Sequence, residues 1–200
     1  MDNRLVQADA IVFDVGNVLL SFEPEKVIAL LPEQHRAPMM EALFGPRHLW
    51  SGFDLGRDGN EAVAQHIGEA SGIPEGKEFA LYLLHNFHRT MQRLPLYGML
   101  HELHAMGKRL YALTNYPEPS FTYTCDAHPE LIQHLEGVVV SSREKLAKPD
   151  PAIFRILIHR FRMDPARTLY IDDTAANTAS AAALGFSVWH YAGADRIGQQ

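Results

Sequence analysis

The chain has 200 residues, 24 Asp and Glu against 18 Lys and Arg, a formal net charge of −6 and a sequence pI of about 6.0. At 46% hydrophobic and 21% charged it has the composition of an ordinary folded domain, and it lacks the basic face that binding a nucleic-acid backbone demands. No apolar run nears the roughly 20 residues of a membrane span, no basic-apolar-small leader pattern opens the chain, and the single cysteine, Cys125, has no internal partner, so the expectation is a soluble, cytoplasmic protein without nucleic-acid or membrane partners.

The first pattern is residues 10–19, AIVFDVGNVL. Ala10–Phe13 is a short apolar run without polar alternation, as a strand buried on both faces is. It runs into a lone carboxylate, Asp14, whose neighbours Val15, Gly16 and Val18 do not open a helix. A charge at the end of a buried strand must be paired or bound to metal. From Ser21 to Leu94 no strand pattern follows. Apolar residues recur at helical spacing instead: Val27, Leu30 and Leu31; Met39, Met40, Leu43 and Phe44; Val63 and Ile67; Phe79, Tyr82, Leu83 and Phe87. Asn60 before Glu61 marks one helix start, and Trp50, Phe53, Phe79 and Phe87 are expected in the core of this helical segment. Leu96, Met99, Leu100, Leu103 and Met106 then share one stripe that Gly107 closes. Later strands are predicted at Leu110–Leu113, Val138–Val140, Leu169–Ile171 and Phe186–His190. Between them, Asp150-Pro151 opens a helix that runs to about Arg162, and Thr174 to Leu184 forms another, stopped by Gly185. The alternation predicts an α/β fold with a Rossmann-like, mostly parallel sheet. Its core comprises residues 1–20 and 95–200, and a helical unit, residues 21–94, is inserted after the first strand.

Open α/β sheets bind ligands at the carboxyl ends of their strands. Here those ends carry Asp14, then Thr114-Asn115, then Ser141-Ser142 with Lys148 shortly after, then Asp172-Asp173. Carboxylate oxygens at one edge suit Mg²⁺, and Thr114 and Lys148 suit phosphate oxygens. Such a set favours phosphoryl transfer, in which positioning and charge neutralisation do most of the catalysis. Two histidine pairs at helical spacing, His85/His88 and His101/His104, have no acidic or cysteine partners at zinc-like intervals and are expected to be solvated or half-buried.

The order lone Asp, Thr, Lys, Asp pair differs from that of a response-regulator receiver domain, where the Asp pair comes first. It resembles the haloacid dehalogenase-like (HAD) hydrolase superfamily across nearly the whole chain. "FDVGNVL", "LYALTN", "KPDPAIF" and "LYIDDTAAN" are similar to its four motifs, and the helical insertion to its cap domain. "WSGFDLGRDGN" and "HPELIQHLEGVVVSSREKLAKPDP" further resemble the branch that includes a bacterial α-glucose-1-phosphate phosphatase. The resemblance implies that Asp14 is the nucleophile of an aspartyl-phosphate intermediate and a Mg²⁺ ligand. It implies that the Gly16 backbone carbonyl and Asp173 are further ligands, with Asp172 in the inner or outer shell. Thr114 and Asn115 would bind the phosphoryl group, Lys148 would neutralise it, and Asn177 would support the metal side from behind. The implied activity is a Mg²⁺-dependent phosphatase acting on a small phosphorylated metabolite, such as a sugar 1-phosphate. Most phosphatases of the superfamily carry an Asp two places after the nucleophile, where it protonates the leaving oxygen. Gly16 cannot do this, which implies a preference for anomeric, acyl or aryl phosphates, with a cap residue or a water supplying any remaining proton transfer. Asp54 and Arg57 are candidates for facing the substrate. Two other readings are a 2-haloacid dehalogenase-like hydrolase, which lacks the acidic metal site and has an aromatic residue in place of Gly16, and a non-catalytic phosphate- or partner-binding module.

Overall fold

The computed structural model describes residues 2–46 and 48–191, so the last nine residues of the expected core lie outside the described residues. Strands β1 (Ala10–Phe13), β2 (Arg109–Thr114), β3 (Gly137–Val140), β4 (Thr168–Asp172) and β5 (Ser187–His190) appear at all five predicted places. They form one parallel sheet in the order β3-β2-β1-β4-β5. The order follows from composition: the wholly apolar β1 is central and every residue of it is buried, while β5, Ser-Val-Trp-His, lies at an edge and is half-exposed. The chain runs outward through β1, β2 and β3 and then crosses to β4 on the other side. The sheet's topological switch point therefore lies between β1 and β4, the place where open α/β sheets bind ligands. The register pairs Phe13 with Ala112 on one side and Ile171 on the other, so the next residues, at the strand ends, sit level.

Successive residues of a strand point to opposite faces. Ile11 and Phe13, with Leu110, Ala112, Leu169 and Ile171, belong to one contiguous buried cluster that also contains Met39, Phe53, Leu83 and Phe87 of the inserted segment. Val12, Tyr111, Leu113 and Tyr170 pack on the other face against Ile153, Phe154 and Leu157. The helical insertion thus shares its apolar core with one face of the sheet. It comprises Pro24–Ile28, Glu33–Phe44, Trp50–Leu55, Asn60–Ser71, Gly76–Asn86 and the 3₁₀ turn Phe87–Thr90, with no strand among its described residues. No helix of the described residues is long and apolar enough to cross a membrane.

The local signals worked best where one residue decides the geometry. The Asp150 carboxylate accepts from the Ala152 N–H at 2.8 Å and caps Pro151–Phe161, and Gly185 stops Ala175–Ala183 with φ +94°. One expectation needs correction. The single helix expected over 96–106 is broken at Met99 into Pro95–Gly98 and Leu100–Ala105, and Met106 is 45% exposed rather than part of the stripe. Asn60 begins the helix Asn60–Ser71, as expected, and its amide donates to the Glu118 carbonyl at 2.5 Å.

The helices Asn60–Ser71 and Gly76–Asn86 meet at Gly68 and Gly76. A Cβ on Gly68 would lie 2.7 Å from the Lys77 backbone nitrogen and 3.2 Å from its Cα. Backbone cannot yield there without separating the helices, so the strain outweighs the roughly 1 kcal/mol that Ala gains over Gly in a helix. Gly68→Ala is expected to lower unfolding stability by about 1–3 kcal/mol. An unchanged urea midpoint would contradict this close approach.

Candidate active site

Asp14 stands one residue beyond β1, and its N–H donates to the Ile171 carbonyl of β4 at 2.9 Å, which fixes it beside Asp172. Asp14, Asp172 and Asp173 each offer a carboxylate oxygen within 4.8 Å of the others'. Lys148 enters from the loop after β3. Its Nζ lies 2.8 Å from Asp14 Oδ2 and 2.8 Å from Asp172 Oδ2, with its side chain 1% exposed. Thr114 ends β2 and is buried at the same edge. The structure therefore brings Asp14, Asp172, Asp173 and Lys148 together, with Thr114 at the end of the neighbouring strand.

Their supports explain which oxygen is free for what. The Asn115 amide donates to the Lys148 carbonyl at 3.0 Å and accepts from the Lys148 N–H at 2.8 Å. That amide, expected on phosphate, is occupied in holding the lysine in place. Asp172 is fully buried and crowded with donors: Lys148, the Tyr170 hydroxyl, the Thr174 N–H at 2.8 Å, and Asn177 Nδ2 at 3.0 and 3.1 Å from its two oxygens. Asn177 does sit behind the site, but its partner is Asp172. Asp173 is half-buried and has weaker claims on it, Asn17 Nδ2 at 3.2 Å and the Thr174 hydroxyl at 3.4 Å. Asn17 was not expected. It takes φ +56° after Gly16, reaches Asp173 with its amide nitrogen and accepts from the Phe22 N–H at 2.9 Å with its oxygen. Asn tolerates this left-handed backbone better than most residues, and "GN" before an apolar pair was the available signal.

Among the described residues no hydrogen bond reaches the Gly16 carbonyl, because the turn is closed instead by Asn17 N–H to Leu20 O at 2.7 Å and by Leu19 and Leu20 N–H to Val15 O. Nor does the backbone require a glycine at 16: a Cβ there would meet only Phe22 Cβ, at 4.0 Å.

One ammonium pairs with two of the three carboxylates. Burial pushes the Asp14 carboxyl up to about 7, opposed by Lys148 and reinforced by the Asp172 charge. Burial also acts on Asp172, but Lys148 and the surrounding donors outweigh it and hold its carboxyl below the ordinary range. Lys148 stays charged, since Asp14 and Asp172 overcome the effect of burial and raise it. Asp14 and Asp173 are the carboxylates with the fewest donors. Together with Asp172 they offer a set of hard oxygens fit for a small divalent cation. Asp172, saturated by its donors, fits a place behind the ion.

Asp54 lies in the last turn of the helix Trp50–Leu55 of the insertion, and its carbonyl accepts from Ser141 Oγ at 2.6 Å. Its Oδ1 is out of contact with solvent and has no hydrogen-bond partner. Burial first, and then the Asp14 charge, push its carboxyl up to about 7, while Lys148 and Trp50 oppose the shift. Arg57, the other cap-loop candidate, turns its Nε to the Lys145 carbonyl at 2.9 Å. His85 and His88 lie against Tyr123, and His101 and His104 against His134. The aspartate trio is the one group of three potential metal ligands among the described residues. A surface cavity of about 420 Å³, lined by Arg93, Tyr97, His101, Glu130 and His134, contains none of the strand-end residues.

Residues 8–185 match the haloacid dehalogenase-like hydrolase family. The chain is 24% identical over 181 residues to the sesquiterpene phosphatase astK of Aspergillus oryzae, covering 90% of this chain and 88% of that one. Its fold is similar to that of the HAD family enzyme bt-2542 from Bacteroides thetaiotaomicron in its magnesium complex, with a TM-score of 0.77 at 20% identity over 96% of this chain and 97% of that one. It is also similar to a predicted HAD-like family hydrolase from Porphyromonas gingivalis, with a TM-score of 0.69 at 25% identity over 92% and 90%.

Proposed function

The chain belongs to the haloacid dehalogenase-like hydrolase family, and on that premise we propose that it is a Mg²⁺-dependent phosphatase that acts on a small phosphorylated metabolite through an aspartyl-phosphate on Asp14. The observation that carries this reading is the division of labour at the switch point. Lys148 holds Asp14 Oδ2 and Asp172 Oδ2 at 2.8 Å each, while Asp14 and Asp173 have the fewest hydrogen-bond donors of the three carboxylates. A carboxylate fixed in this way is an oriented nucleophile. One Asp14 oxygen attacks phosphorus. Lys148 and the Thr114 hydroxyl take up charge on the phosphoryl oxygens, and Asp172 keeps the ammonium in line. Asp14, Asp173 and the Gly16 carbonyl would hold Mg²⁺, which would supply charge neutralisation at the transferring group. The phosphatase astK, and the magnesium complex of bt-2542 on the same fold, support this reading. The carboxylates of Asp172 and Asp173, together with Gly16, weigh against a dehalogenase.

For the leaving group, the motif resemblance implies a sugar 1-phosphate. The name of the relative astK, a sesquiterpene phosphatase, favours an apolar alcohol instead. Release of phosphate from farnesyl phosphate faster than from glucose 1-phosphate is the expected order. The reverse order would restore the sugar reading.

The activity itself is tested with p-nitrophenyl phosphate: turnover with Mg²⁺ and none after chelation. Loss of a supporting partner of a metal ligand typically weakens binding about 10–100-fold. Loss of a ligand itself should do at least as much, so Asp173→Ala is expected to need at least about tenfold more Mg²⁺ for half-maximal rate. Wild-type activity that survives exhaustive chelation would contradict the metal, and no activity in either condition would favour a binding module.

A further inference from the structure

Departure of an alkoxide from phosphorus is slow unless a proton meets it, and the second half-reaction needs a base to take a proton from water. The groups at the strand ends are otherwise committed. Asp14 is the nucleophile in the reading above. Lys148 is held by two carboxylates and Asp172 by its donors. Asp173 faces the metal side, and Gly16 has no side chain.

The insertion anchors one more acidic residue to this edge through its backbone. Asp54 is fixed there by a relay through the core: Ser141 Oγ donates to the Asp54 carbonyl at 2.6 Å and accepts from the Tyr116 N–H at 2.9 Å, two residues beyond Thr114. The following turn is latched to the same loop, with Lys145 Nζ on the Gly56 carbonyl at 2.5 Å and Arg57 Nε on the Lys145 carbonyl at 2.9 Å. Among the described residues Asp54 has no ion-pair partner, and its Oδ1 is both buried and unpaired. A lone buried carboxyl oxygen is costly to maintain and has no structural use here.

We propose that Asp54, donated by the inserted helix Trp50–Leu55, is the general acid and base of the reaction, occupying in space the role that Gly16 leaves open in the sequence. This rests on the phosphatase reading. In the first half-reaction Asp14 forms a bond to phosphorus, the bond from phosphorus to the leaving oxygen breaks, and that oxygen takes the Asp54 proton as the alcohol departs. In the second, the Asp54 carboxylate takes a proton from water. The water oxygen bonds to phosphorus, the Asp14–phosphorus bond breaks, and phosphate leaves with Asp14 ionised and Asp54 again protonated. The preference for acidic leaving groups expected from Gly16 alone is therefore softened in the intact enzyme.

The test compares wild type with Asp54→Asn on phosphomonoesters from p-nitrophenyl to alkyl, with thermal melts to confirm folding. For alkyl phosphates, Asp54→Asn is expected to lower kcat/KM by about 10²–10⁴-fold, the usual scale of general acid-base help. For p-nitrophenyl phosphate, whose leaving group needs no proton, kcat/KM should stay within a few-fold of wild type. Its kcat should fall, with a burst of nitrophenolate stoichiometric with enzyme, because the water step lacks its base. An equal loss of kcat/KM across the series, or no loss at all, would overturn the assignment while leaving the phosphatase reading intact. A wild type that hydrolyses no member of the series would overturn both. If Asp54→Asn does not fold, Asp54→Ser is measured in the same way.

Discussion

Asp14→Asn protein is expected to release no phosphate above background and, stripped of metal, to unfold at no lower temperature than wild type. The loss of activity follows from chemistry. The amide cannot attack phosphorus and is a poor metal ligand, and removing the nucleophile of a cooperating site lowers the rate by up to about 10⁶-fold. The stability follows from charge. In the metal-free site the Asp14 carboxyl is raised from 3.8 to about 7, chiefly by burial. A raised folded-state value means stability that is full below the unfolded value and lost as pH rises through the folded one. Metal-free wild type therefore loses stability between about pH 4 and pH 7, and the Asn variant does not lose this part. In EDTA the difference in melting temperature, variant minus wild type, should widen over that window and level off above it. Near-normal turnover by the purified variant, or a difference that narrows as pH rises, would contradict the placement of Asp14.

Lys148→Met should do the opposite to stability. It leaves Asp14 and Asp172 as neighbouring buried carboxylates without their shared cation. Removing one partner from a buried ion pair typically costs about 3–5 kcal/mol, and here one lysine serves two. Turnover should fall below detection as well, since the phosphoryl oxygens lose their fixed positive charge. The double variant Lys148→Met/Asp172→Asn should regain part of the stability and none of the activity. That split separates the structural role of the lysine from its part in the reaction. A single variant as stable as wild type in chemical denaturation would mean that the two ion pairs do not form.

The strands were legible because a doubly buried parallel strand needs an unbroken apolar run. The polar residue that ends each run, Asp14, Thr114 or Asp172, is also what the sheet brings to its functional edge. The residues that set the division of labour were not legible. Tyr170 reads as one more aromatic in a strand, yet its hydroxyl donates to Asp172. Asn115 stands where a phosphate contact is expected, and only the fold brings Lys148, 33 positions away, opposite its amide. Asn17 reads as a turn residue and proves to touch Asp173, 156 positions away. Asp54 was visible as a cap-loop acid, but its unpaired oxygen depends on which loop covers the helix end. The break at Met99 was not legible either, because helical spacing continues through it. Local period and local caps can be read along the chain. The partners of a polar side chain depend on chain crossings that no short window contains.

The central claim is that phosphate passes through a covalent bond to Asp14. It is tested most directly by acid-quenching wild type during steady-state turnover of an aryl phosphate with Mg²⁺, reducing the protein with borohydride and mapping peptides by mass spectrometry. An acyl phosphate is reduced to an alcohol, so an aspartyl-phosphate would appear as homoserine at position 14, dependent on both substrate and Mg²⁺. Reduction at another residue, or none while phosphate is being released, would contradict the account.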